Sequence, residues 1–154
     1  MTAKTGTFLV TAADADSAVL SDVTDGQVHT LEENPDLSTD QIVEATIAPV
    51  PPMEALWTVD EIAAIREVSV EVSDERPTKT SRDLAATMAE GTLETRERAG
   101  VGAIHVITVP TAITDDAVDD VLDDDQTLRT AARLGVDRVE IRSDPGIVTV
   151  RYLP

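Results

Sequence analysis

The 154 residues hold thirty Asp and Glu against twelve Lys and Arg, giving a formal net charge of −18, with two His and no Cys. This length suits one compact domain or two small ones. A chain without Cys has no disulfide framework, thiolate metal site or thiol nucleophile, and no apolar run nears the roughly 18–20 residues of a membrane span.

Residues 6–65 read as short strands. Segments 7–11 and 17–23 flank the acidic stretch 12–16, and Asp25-Gly26 signals a tight turn into 27–31. Asn34-Pro35 breaks the chain in a polar loop. Residues 41–48 resume with Ile42, Val43, Ala45 and Ile47, and Pro49, Pro51 and Pro52 precede a fifth apolar run, 55–59, around Trp57. Five strands in about 60 residues predict a small β-barrel-like unit of the OB or SH3-like kind, with Trp57 packed inside.

From residue 66 the pattern changes. Val68, Val70 and Val72 alternate with polar residues as a half-buried strand. After a polar loop, 81–90 reads as a helix stopped by Gly91, and 92–98 as either a strand or a polar helical turn. Residues 104–109 are apolar on both faces and predict a central strand. A helical stretch then runs from Pro110 to Leu134. Asp125 would fall on its apolar face, so the helix is expected to break there, with Asp125 capping a second one. Strands at 136–142 and 147–152 follow, joined by Asp144-Pro145-Gly146. The expected fold class is α+β: a barrel-like unit at 1–65, then a two-layer α/β sandwich at 66–154 with a split β-α-β, ferredoxin-like layout.

The acids run from Asp14 to Asp144 between apolar positions, so they coat folded surfaces instead of forming a tail. The only lysines are Lys4 and Lys79; the other ten bases are Arg. Carboxylates hydrate strongly on short stems and keep a protein soluble in molar salt, where the Debye length falls to about 3 Å. The scarcity of bulky aromatics moderates burial that salt strengthens. These features predict the cytoplasm of an extreme halophile. The plainer alternative, an ordinary acidic protein, would carry more Lys.

The chemistry is sparse. No Gly-rich phosphate loop is present, and a lone strand histidine such as His29 or His105 is more often structural than a base. The aspartates of 115–125 cover the outward face of an amphipathic helix, where solvation explains them better than a metal does. No metal and no cofactor are expected. The bases are the anomaly: residues 1–65 hold only Lys4 against twelve acids, whereas 76–98 hold Arg76, Lys79, Arg82, Arg96 and Arg98 against four. Arg129, Arg133, Arg138, Arg142 and Arg151 make a second group. An Arg fork fits phosphate or carboxylate, while the plainer reading pairs these groups with nearby carboxylates.

Seven strings, GTFLVT (6–11), GQVHTLEENP (26–35), PPMEALWTV (51–59), VSDERPTK (72–79), RERAGVGAIHVITVP (96–110), AARLGVDRVEIR (131–142) and VRYLP (150–154), are specific taken together. Through them the chain resembles, over nearly its whole length, a haloarchaeal family of uncharacterised small proteins, DUF5812. The resemblance agrees with a halophilic setting and implies no activity.

The leading expectation is a non-enzymatic binding module for RNA or a nucleoprotein, using Arg76, Lys79, Arg82, Arg96 and Arg98. The rival is a protein-interaction or assembly subunit with residues 147–153 and Trp57 near the contact. A third reading is an enzyme centred on His105 and the arginines of 76–98. No membrane partner is expected.

Overall fold

Alternation along the first strand sets the architecture: Phe8 and Val10 turn to one side and Leu9 to the other, and all three are fully buried. In the computed structural model, which describes residues 2–52, 55–98 and 100–154, the protein is a mixed α+β structure of two five-stranded sheets and three α-helices. The chain divides into two compact units, Met1–Val68 with Leu128–Arg133, and Ser69–Thr127 with Leu134–Pro154.

In the first unit, β1 (Lys4–Ala13), β2 (Ala18–Asp22), β3 (Val28–Leu31), β4 (Ile42–Pro49) and β5 (Trp57–Arg66) pair in the order β1-β2-β3-β5-β4. β4 returns to β1, so the sheet closes on itself. Register shifts in β1 and β4–β5 add the local bend and twist that closure requires. The turns follow local chemistry. Asp14 Oδ1 accepts the Asp16 and Ser17 amides at 2.8 Å between β1 and β2, and Gly26, at φ 76°, completes the turn before β3. Inside lie Phe8, Val10, Leu20, Leu31, Val43, Ile47 and Trp57. Leu9, Val23 and Ile42 form a separate cluster with Leu128 and Ala132.

In the second unit, β6 (Ser69–Val72), β7 (Leu93–Glu97), β8 (Ala103–Thr108), β9 (Arg138–Asp144) and β10 (Ile147–Leu153) form an open sheet ordered β6-β9-β10-β8-β7. β6 and β9 are parallel and the other neighbours antiparallel. The central strand is therefore β10, not the 104–109 segment, which lies one place from the edge as β8. Val148, Thr149 and Val150 are buried on both faces of β10, the signature expected of a middle strand. Pro145 and Gly146 (φ 84°) make the tight β9–β10 turn.

Helix α1 (Lys79–Ala85) is shorter than 81–90. Thr78 caps its start by accepting the Ser81 amide, and the chain leaves the helix at Ala86. α2 (Thr114–Asp123) and α3 (Asp125–Leu134) replace the single helical stretch. The break falls where the pattern placed it, but the capping group is Asp124. That residue is extended (φ −89°, ψ 120°) and its Oδ1 accepts the Gln126 amide at 2.9 Å, leaving Asp125 in the first turn. Val118 of α2 packs with Ile141 and Val148, while Asp115, Asp116, Asp119 and Asp120 face outward, exposed.

Candidate functional site

The sequence points to a ligand on the bases of 76–98, and the fold distributes them over helix α1, strand β7 and the loops that flank them. Arg76, in the loop before α1, pairs with Asp144 at 2.9 Å. Lys79 and Asp83 form an i,i+4 pair on α1 at 3.1 Å. Arg82, on the same helix, has a buried Nε without a hydrogen-bond partner among the described residues, and it lines a shallow cavity of about 310 Å³ with Ala85, Met88, Thr108 and Ile147. Arg96 is exposed on β7. Arg98, just beyond that strand, donates to the Val101 carbonyl at 3.0 Å.

Register separates these groups. Asp144, which holds Arg76, lies opposite Ile147, whereas Arg96 lies opposite Ile104, which faces Arg151. Four residues of β10 part the two positions, roughly 13 Å at a strand's rise per residue. Arg76 and Lys79 are thus already held by carboxylates, and the five bases do not converge on one point.

The second basic group is drawn inward more tightly. Glu140 Oε1 accepts from Arg142 Nε at 2.6 Å and from Arg151 Nη1 at 2.9 Å. Arg142 also reaches Glu75 at 2.8 Å, and Arg138 pairs with Glu71 at 3.5 Å. Glu140, Arg142 and Arg151 share one face because residues i and i+2 of a strand do, and because Arg151 lies opposite Glu140. Burial pushes the Glu140 carboxyl up, but hydrogen bonds and charge from Arg142, then Arg151, outweigh it and hold the group below the ordinary carboxylate range. Nothing singles out Glu140 locally; the one signal is its i+2 spacing to Arg142.

The closed sheet carries its own charged cluster, which the sequence left as isolated residues. Lys4 Nζ lies 3.0 Å from Asp22 Oδ2, and it donates to Asp25 Oδ2 at 2.9 Å and Gln27 Oε1 at 3.1 Å. His29 Nε2 is 3.4 Å away. An ammonium only donates, so Nε2 accepts and Nδ1 carries the hydrogen. The imidazole packs edge-on against Trp57 and Phe8, with ring centroids 4.4 and 6.0 Å apart. Burial first, and then the Lys4 charge, keep His29 below its usual pKa, so it is neutral at pH 7. The cluster clamps a strand end and holds no acid–base pair poised toward open space. Among the described residues, no group of three His, Asp or Glu is placed to hold a metal ion.

The last feature is an edge. β7 pairs only with β8 among the described residues, and Leu93, Glu94, Thr95, Arg96 and Glu97 are all exposed. Glu94 and Arg96 make no ion pair among the described residues. The Thr108 amide donates to the Thr92 carbonyl, so even-numbered residues bond to β8 and the odd-numbered Leu93, Thr95 and Glu97 turn their N–H and C=O groups outward.

The model of a family of unknown function, DUF5812, matches residues 4–143. The chain belongs to that family. No curated protein and no solved structure matches it. The span shared with DUF5812 takes in the Lys4–His29 cluster, the bases of 76–98, the β7 edge and Glu140 with Arg142; of the pairs described, Asp144 and Arg151 lie beyond it. In this DUF5812 chain no helix among the described residues is long and apolar enough to cross a membrane.

Proposed function

We propose that the chain is a non-enzymatic protein-interaction and assembly module that works in concentrated salt. The observation that carries this reading is the β7 edge, five exposed residues of which Leu93, Thr95 and Glu97 turn their backbone groups outward, in a chain whose Arg76 and Lys79 are already engaged by its own carboxylates. An unpaired edge is a ready template for another strand. The first unit has thirteen acids against Lys4, Arg66, Arg129 and Arg133. Such a surface repels a polyanion, and counterion release gains little in molar salt. The RNA or nucleoprotein reading on Arg76, Lys79, Arg82, Arg96 and Arg98 is therefore the less supported one.

The finer fold reading belongs to the same proposal. The order β1-β2-β3-β5-β4, with β3 parallel to β5, supports an OB-like barrel. The β8–helix–β9 connection, with antiparallel β10 between its strands, supports a split β-α-β, ferredoxin-like unit. Both folds host many activities, so neither decides function. A halophile's cytoplasm is the setting we propose, supported by the thirty carboxylates and by ten Arg to two Lys.

Tagged protein retrieved in molar potassium chloride tests the reading. Co-purifying protein, either a second chain of its own kind or another species, is the expected result. Retention of nuclease-sensitive RNA with no protein partner would replace it with the nucleic-acid reading.

A further inference from the structure

Along β7 the side chains alternate in sign in a way that is complementary to itself. Glu94 and Arg96 lie on one face of the strand, two residues apart, with Thr95 between them pointing to the other face. We propose that β7 is a homodimer interface in which two copies pair antiparallel about a two-fold axis at Thr95, joining two open sheets into one. This rests on the reading of the chain as an interaction module and names its partner: a second copy of the same chain.

The register follows from backbone and charge together. The outward amides and carbonyls belong to Leu93, Thr95 and Glu97, so an added strand must set odd-numbered residues against odd-numbered ones. Centring on Thr95 does so: Thr95 meets its own copy, and Leu93 and Glu97 exchange hydrogen bonds. The intervening non-hydrogen-bonded pairs, where Cα atoms approach to about 4.5 Å, then set Glu94 against Arg96 twice, once on each side of the axis. Moving the axis to Glu94 sets that carboxylate against its own copy, and moving it to Arg96 does the same with the guanidinium. Opposite charges directly across a strand pair stabilise and like charges destabilise.

The same charges on a strand that only needed protection would be better arranged with one sign, which repels every approaching copy. Here a copy finds the opposite sign. The other edge, β6, offers no such match: its single charge, Glu71, is engaged by Arg138. Two chains of net charge −18 repel at long range, so the interface is expected to form in concentrated salt, which screens that repulsion and leaves the backbone hydrogen bonds.

Because the chain has no Cys, a single introduced cysteine reports on register without background. Across a hydrogen-bonded pair, Cα atoms lie about 5.5 Å apart, within the range of a disulfide. Thr95→Cys should oxidise to a covalent dimer in molar potassium chloride. Leu93→Cys, displaced from its copy by about 13 Å of strand, should not. In sedimentation equilibrium, Glu94→Arg and Arg96→Glu should each weaken the dimer about fivefold to tenfold, and the double variant should restore it. Circular dichroism confirms that each variant is folded.

A monomer at all salt concentrations overturns the proposal, as does a dimer that cross-links equally through 93 and 95 or ignores both charge reversals. A monomer that still retrieves a different protein, with that retrieval lost on charge reversal, overturns self-pairing alone and leaves the interaction-module reading standing.

Discussion

The two sheets solve the edge problem differently. In the first unit the pairing returns from β4 to β1, and its charged cluster at Lys4, Asp22 and Asp25 is folded in on itself. In the second unit the sheet stays open. Its charges line one face around Glu140 or run along the exposed β7 strand. Closure uses up backbone donors and acceptors, whereas an open sheet keeps a row of them at each side. The contrast leaves unpaired strand edges in the second unit, where the proposed interface lies, and, among the described residues, none in the closed pairing of the first.

The largest break in that comparison should come from the closed sheet's interior. Phe8→Ala removes a fully buried ring and is expected to cost about 3–5 kcal/mol, read as a lower denaturant midpoint. Glu140→Ala strips two guanidinium groups of their shared acceptor and should cost about 1.5–3 kcal/mol. Because the Glu140 pKa is lowered in the folded state, its contribution is present above the ordinary value of 4.5 and is lost as pH falls further. The difference between parent and variant should shrink in that acid range.

His29 gives a smaller effect in a separate window. Its pKa is also lowered, so the folded state resists protonation. Stability should be level above pH 6.5 and decline below it, and His29→Gln should flatten that slope in a pH series of thermal melts. At the far end, Leu93→Ala on the β7 edge should leave monomer stability within about 0.5 kcal/mol. A loss of several kcal/mol there would mean that β7 is covered and not an edge.

Much of the element order was legible because it rests on local periodicity. The alternation of Val68, Val70 and Val72 marked the stretch that holds β6, and the strand at 41–48 appears as β4. The spacing of the aspartates of 115–125 marks the helix break, since a charge at Asp125 in one continuous helix would face the core. Which aspartate caps was one residue off, because capping depends on the backbone angle of Asp124 and not on the pattern. The centrality of β10 was not legible either. Residues 104–109 are apolar on both faces, and position in a sheet is a matter of which strands pair.

The candidate site was less legible than the fold. Counting charges in 76–98 identified a basic segment, but it could not register that Arg76 meets Asp144, 68 residues away, or that Arg142 and Arg151 converge on Glu140. Nor does the apolar face of 128–133 announce that Leu128 and Ala132 pack with Leu9, Val23 and Ile42.

Composition and periodicity alone determined the acid excess, the absence of thiol chemistry, most of the succession of strands and helices (92–98 stayed open between strand and helical turn) and the position of the tight turns. These depend on neighbours within a few residues, whose geometry the backbone dictates. Only the tertiary structure decided which bases were already neutralised, which strand was central and which edge was left open. Each of those is a pairing between distant segments, and local pattern carries no information about partners brought together by folding.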